Sequence, residues 1–203
     1  MVRQLPFRLI LASGSLGRRE LMKLHGYEFE VRPANIDEPT EARLGDCRHY
    51  VAELAWLKAA AVSPTVSDGV VIAADTVGWL NGKVIGKPED EADARRIIRS
   101  LSGTTHELWT GVCLWVRPGD YQVTWQELSR VRMKALTDAE IDEYIATRKW
   151  EGCSGAYAIQ MPDDPYLTVA EGSVSNVIGL PMESLEKALG WLAATRPGSA
   201  EAR

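Results

Sequence analysis

Apolar residues recur along the chain in two rhythms. Solid apolar runs of strand length lie at residues 8–12 and at "GVVIAADTVGWL", Gly69–Leu80, and read as buried strands. Two longer stretches of strand character follow at residues 106–116 and 121–134. The second rhythm is helical. Residues 18–25 turn Leu21 and Leu24 to one side and stop at Gly26. Cys47, Tyr50, Val51, Leu54, Leu57 and Ala61 form one stripe; Ala94, Ile97, Ile98 and Leu101 form another, closed by Gly103.

Punctuation between these segments completes the picture. "NGK" at residues 81–83 is a hairpin turn into a short strand ending at Ile85. Pro88 opens the next helix, and Glu89, Asp90 and Glu91 suit the positive end of its dipole. Thr137 and Glu140 make a capping box for a helix through Arg148. Strands at 156–160 and 166–170 come next, and a last helix starts after Pro181 with Leu185, Leu189 and Leu192 inside. Helices alternating with single strands and hairpins give an α/β fold with a mixed sheet. Residues 1–195 form one domain in this reading, and 196–203, "RPGSAEAR", form a loose tail.

Composition narrows the partners. The chain has 203 residues and a net charge of -5, against a general nucleic-acid binder. Cys47, Cys113 and Cys153 are widely spaced, without a CxxC pair, and read as buried free thiols. The N-terminal apolar run is too short for a signal peptide and contains Arg8, and no run is long enough to cross a membrane. The expected location is cytoplasmic, with neither nucleic acid nor membrane as a partner. The seven tryptophans are read mostly as core, with Trp79 or Trp125 as candidates to stack on a base.

Three features carry chemistry. In "LILASGSLGRREL" an apolar strand runs into a Gly/Ser loop and then a helix. Backbone N–H groups at such a helix start form an anion site. Ser13 and Ser15 add hydroxyls, and Arg18 can grip phosphate through two bonds; a polar helix cap with surface arginines accounts for the pattern equally well. Second, Asp75 places a carboxylate inside an apolar strand, where it must be paired, hydrogen-bonded or metal-bound. Such a group suits a general base, or a structural role against backbone groups. Third, Lys58 follows Leu54 by four residues and shares that helix's apolar face. Lys87 in "IGKP" and Glu38 in "NIDEP" read by themselves as loop residues. His25, His49 and His106 show no metal spacing, and Cys153 has no paired histidine to make it a nucleophile.

Together, "LASGSLGRREL", "IDE", "LAWLKA", "AADTVGWLNGKVIGKP", "LSGTTHELWTGV", "SGAYAIQ" and "GLPME" resemble, in order and spacing, the Maf (septum formation protein) family over residues 9–192. The resemblance implies an elongated central mixed sheet flanked by helices, like that of inosine-triphosphate pyrophosphatases. It implies a nucleoside-triphosphate pyrophosphatase that needs a divalent cation, Mg²⁺ or Mn²⁺. By the same resemblance Asp75 matches the catalytic base, and Ser13, Ser15, Arg18, Glu38, Lys58, Lys87 and Gln160 match substrate-binding positions. Asp75 and Glu38 match the metal-holding pair. Thr76 and Gln160 lean toward the dTTP/UTP branch, but Gly17 stands where one branch has arginine and the other tryptophan. The partner so implied is the triphosphate substrate, with a homodimer left open. A nucleotide-binding regulator of cell division with weak hydrolysis, and a phosphomonoesterase releasing phosphate, are the competing classes.

Overall fold

A computed structural model describes residues 3–38, 46–157 and 165–195. Strands β1 (Leu9–Leu11), β2 (Glu30–Val31), β3 (Gly69–Leu80), β4 (Lys83–Ile85), β5 (Thr105–Arg117), β6 (Tyr121–Met133) and β7 (Leu167–Glu171) form one sheet in the order β2-β1-β3-β5-β6-β7, with β4 paired to β3. The pairs β1–β2 and β1–β3 are parallel and all others antiparallel. The expected mixed α/β architecture is therefore present.

Helices α1 (Leu16–Leu24), α2 (Cys47–Val62), α3 (Glu91–Leu101), α4 (Asp138–Ala146), α5 (Val174–Ile178) and α6 (Met182–Thr195) cover the sheet. Strand alternation sorts β3 into two faces. Val70, Ile72 and Ala74 pack with Leu21, Met22, Leu185 and Leu189 of α1 and α6. Val71 and Ala73 pack on the other face with Ala55 and Ala59 of α2, and Val77 joins Tyr50, Val51 and Leu54 there. Asp75 falls in this second row. A separate cluster joins Ala94, Ile97, Ile98 and Leu101 of α3 to Ile141 and Ile145 of α4 and to Leu108, Val131 and Met133 of the sheet. Each buried Val, Leu, Ile or Met side chain among them contributes about 1.5–3 kcal/mol on burial.

The hairpin at residues 81–83 forms as expected, with Asn81 at φ 52° and Gly82 at φ 80°. The Thr137–Glu140 capping box is present, although α4 ends at Ala146. Several expectations are corrected. Leu24 is 80% exposed; Leu21 and Met22 are the pair that α1 buries. Ala61 is exposed, and Ala55, Ala59 and Val62 complete the α2 stripe. Pro88 does not open α3: Asp90 is its N-cap, accepting from Asp93 N at 2.8 Å. Residues 154–156 form a 3-10 turn where a strand was expected to begin, and the rest of that segment lies outside the described residues. The tail 196–203 also lies outside them. Among the tryptophans only Trp150 is buried. Cys47 and Cys113 are buried, as expected, whereas Cys153 is half-buried. No helix among the described residues is long and apolar enough to cross a membrane.

One buried histidine makes the fold acid-sensitive. His106 on β5 is 2% exposed, its Nε2 lies 2.5 Å from Tyr157 Oη, and its Nδ1 has no partner among the described residues. Burial pushes its pKa down to about 4. Above the unfolded value near 6.5 both states are neutral. As pH falls from about 6.5 toward 4, the unfolded chain takes the proton first and stability drops. At about 1.4 kcal/mol per unit, the full loss is about 3 kcal/mol. Urea melts at pH 7 and 4.5 should therefore show a smaller acid loss for His106→Asn than for the wild type. Equal losses would remove His106 as the cause.

Candidate active site

The site begins as a gap in the sheet. β5 pairs with β3 along one edge from Gly69 to Trp79. On the other edge β1 covers Val70–Ile72 and β4 covers Gly78–Leu80. Between them residues 73–77 have no strand partner on that edge among the described residues. β1 runs parallel to β3 and β4 antiparallel, so both chains leave the sheet toward the gap. The first exit delivers Ser13–Arg18, and the second delivers Lys87. The gap is a product of register, and Asp75 stands at its middle.

Asp75 is 8% exposed and faces α2. Lys58 reaches it from that helix, with Nζ 2.5 Å from Asp75 Oδ1 and 2.8 Å from Glu38 Oε1. One ammonium thus joins two carboxylates, the first buried and the second half-exposed. The apolar stripe of α2 that contains Lys58 explains its aim, since the helix face that packs on the sheet also carries the lysine across Asp75. Close packing helps. Gly111 lies directly across from Asp75 in the β3–β5 register. A Cβ there would come within 2.1 Å of the Val51 carbonyl oxygen, so only glycine lets α2 lie this close.

On the opposite face of β3, Arg18 is partly buried and held at three points. Its Nε donates to Gly179 O at 2.7 Å, Nη1 to Ser13 Oγ at 3.1 Å and Nη2 to Thr76 Oγ1 at 3.1 Å. Three of its five N–H groups are thereby committed to protein, and one remains on each terminal nitrogen. Burial pushes the guanidinium pKa down, while Asp75 and then Glu38 pull it back up, so the two faces of the site share one field. Ser13 Oγ also accepts from Ser15 N at 3.2 Å. An oxygen that accepts twice still has its own proton to donate. Ser15 is the N-cap of α1, accepting from Arg18 N at 3.4 Å, so the helix-cap reading holds for this residue and the loop serves both purposes.

Lys87 is exposed, just beyond β4. Its loop is tied down where Gly155 N donates to Gly86 O at 3.0 Å, and Ser154 Oγ donates to Thr76 O at 3.3 Å across the gap. Lys87 is close enough to Cys153 to oppose the burial that pushes that thiol's pKa up. Gln160 lies outside the described residues. Gly17 sits in the first turn of α1 against α5, where a Cβ would meet Ile178 Cγ2 at 2.9 Å. Trp79 lines a separate cavity of about 400 Å³ with Trp109 and Arg48, whereas Trp125 Nε1 donates to Ser184 Oγ at 3.0 Å.

The structure thus gathers Glu38, Lys58 and Asp75 on one face of β3 and Ser13, Ser15, Arg18 and Thr76 on the other, both beside the open stretch 73–77, with Lys87 at the exit of β4. Sequence reasoning missed Thr110, Gly111 and Gly179, which shape the site without carrying charge. Gly111 and Gly179 had a legible residue type, but the close approach each permits comes from elements distant in sequence.

Comparison with known proteins gives a consistent pattern. A family model described as Maf-like protein matches residues 8–192. A dTTP/UTP pyrophosphatase of Rhodopirellula baltica is 41% identical over 189 residues, covering 91% of this chain and 82% of its own. One of the same name from Anaeromyxobacter sp. is 46% identical over 182 residues, covering 88% and 86%. Another from Bacillus cereus is 37% identical over 182 residues, covering 90% and 94%.

Proposed function

Because this chain belongs to the Maf-like family, we propose that it is a nucleoside-triphosphate pyrophosphatase, cleaving the α–β phosphoanhydride of dTTP and UTP. The observation that carries this reading is the buried Asp75 bound to Lys58 at 2.5 Å, on a strand stretch left unpaired on one edge, among the described residues, where the loops carrying Ser13 and Lys87 leave the sheet. A buried carboxylate costs free energy that a simple binding surface has no need to spend.

The donor set suits a hard divalent cation. Among the described residues no three potential ligands gather. Asp75 and Glu38 make a two-carboxylate set, the number Mg²⁺ takes when phosphates and waters complete its shell. Lys58 occupies one oxygen of each, and each keeps a second. When bound there, Mg²⁺ or Mn²⁺ supplies positive charge against the phosphate oxygens.

In this mechanism Asp75 takes a proton from a water as the water oxygen bonds to the α-phosphorus. The bond from that phosphorus to the bridging oxygen breaks, and pyrophosphate leaves with the bonding pair. Lys58 and Lys87 offset charge on the phosphates, while Ser13 and the free N–H groups of Arg18 donate to their oxygens. The products are the nucleoside monophosphate and pyrophosphate.

Base preference rests on Gly17, Thr76 and Gln160. Gly17 offers no side chain to a base, so pyrimidine triphosphates are favoured but not exclusively. Gly17 lies in an ordinary helical turn, so a side chain is resisted by Ile178 and not by φ. Gly17→Arg should sharpen the preference for dTTP and UTP by roughly 10–200-fold, the worth of one specific contact. The test measures kcat/KM for pyrophosphate release from dTTP, UTP, the other deoxynucleoside triphosphates and 7-methyl-GTP, with Mg²⁺ or Mn²⁺, in both proteins. Release of phosphate from monoesters, or triphosphate binding without hydrolysis, would overturn the proposal.

A further inference from the structure

Arg18 is held by more than its immediate contacts. Thr76 Oγ1, which accepts from Arg18 Nη2, lies 2.9 Å from Thr110 Oγ1. Thr110 is its cross-strand partner on β5 and is fully buried. Thr110 Oγ1 in turn lies 3.1 Å from the carbonyl oxygen of Asn176 in α5. Three residues later, Gly179 O accepts from Arg18 Nε.

The two ends of this chain fix its direction. A guanidinium can only donate, and a backbone carbonyl can only accept. Each threonine has one hydroxyl proton. Arg18 therefore donates to Thr76, and with Thr110 donating to Asn176 O at 3.1 Å the Thr76 proton goes to Thr110 at 2.9 Å in preference to Gly179 O, which lies at 3.5 Å. Hydrogen bonds aligned in one direction strengthen one another in a low-dielectric interior. The same threonine also ties α5 to the sheet, and α5 leads into the carbonyl that receives Arg18 Nε. Gly179, at φ 120°, leaves room for this: a Cβ there would lie 3.2 Å from Thr76 Oγ1 and 3.3 Å from Arg18 Nε.

We infer that Thr110 is a positioning residue, which sets the plane of the Arg18 guanidinium through Thr76 on one side and through α5 and Gly179 on the other. Its effect on turnover rests on the pyrophosphatase reading above; its effect on Arg18 does not. Thr76 accordingly serves the substrate through Arg18, its hydroxyl proton being spent on Thr110.

Thr110→Val keeps shape and removes the hydroxyl; Thr110→Ser keeps the hydroxyl. Two measurements follow. The first is hydrogen exchange of the Arg18 Nε–H by NMR, the signal being assigned by its loss in Arg18→Lys. The second is kcat/KM for pyrophosphate release from dTTP, including the double variant Thr110→Val with Arg18→Lys. Thr110→Val should speed exchange by about tenfold and lower kcat/KM by about tenfold, the equivalent of one hydrogen bond. Thr110→Ser should stay within about threefold of wild type on both scales, and the Thr110→Val loss should shrink in the Arg18→Lys background. Unchanged exchange in Thr110→Val overturns the inference, as does a full, additive loss in the double variant. If wild type releases no pyrophosphate yet Thr110→Val still loosens the Arg18 signal, the enzymatic reading falls and the inference stands.

Discussion

Asp75→Asn is expected to lower pyrophosphate release by about 10²–10⁴-fold, the range for loss of a general base, while the fold persists. The substitution keeps the size of the side chain and an oxygen that can accept from Lys58. Lys58 also keeps Glu38, 2.8 Å away, so no buried ammonium is stranded. What disappears is the ability to take a proton from water and one of the two carboxylates available to a cation. Circular dichroism and a thermal melt would check the fold, and a coupled pyrophosphate assay would read the rate. A folded Asp75→Asn protein with near-normal release would remove Asp75 from the mechanism.

The second large effect falls on stability. Gly111→Ala places a methyl group 2.1 Å from the Val51 carbonyl oxygen and 2.7 Å from Ala52 N. These are backbone atoms of a 16-residue helix, so no side-chain rotation relieves the clash. The helix must withdraw from the sheet, opening the core around Val51, Leu54 and Val77. Overpacking of this kind costs about 3 kcal/mol, or a fall in Tm of about 6–12 °C for a chain of this size. The withdrawal also draws Lys58 from Asp75, so activity should fall below what lost stability explains. Gly190→Ala is the control. Its Cβ meets nothing within 4 Å in α6, and it should gain about 0.5–1 kcal/mol from helix propensity. A Gly111→Ala protein as stable as wild type would mean that α2 does not sit where this packing requires.

The sequence announces some parts of this site and is silent on others. Ser13, Ser15 and Arg18 are legible as a strand-loop-helix start, a pattern that a helix cap explains as well as an anion site; Ser15 is in fact the cap of α1. Lys58 is legible because a lysine four residues from Leu54 shares an apolar stripe. Asp75 stands out against its strand. Thr110 does not: alternation says that it faces inward, but not that Thr76 and Asn176 await it there. Leu24 failed because α1 is short and buries only the adjacent pair Leu21 and Met22, leaving Leu24 on the outer side. Pro88 misled because its neighbour Asp90 captures the helix start with a side-chain bond that a proline preference cannot foresee. The five residues of α5 are too few to show a period, yet they carry the Asn176 carbonyl and lead into that of Gly179, on which the site depends.

The split edge of β3 has a further meaning for how this chain behaves in company. Unpaired strand edges invite other chains to add a strand, and the invitation grows with length and flatness. Here the open stretch is residues 73–77, closed at one end by β1 and at the other by β4. An incoming strand would have to displace one of them to gain a useful register. Within the opening Thr76 O already accepts from Ser154 Oγ at 3.3 Å, and the stretch is too confined to seed a ladder between molecules. The interruption that cuts this edge of β3 into short pieces guards it against polymerisation.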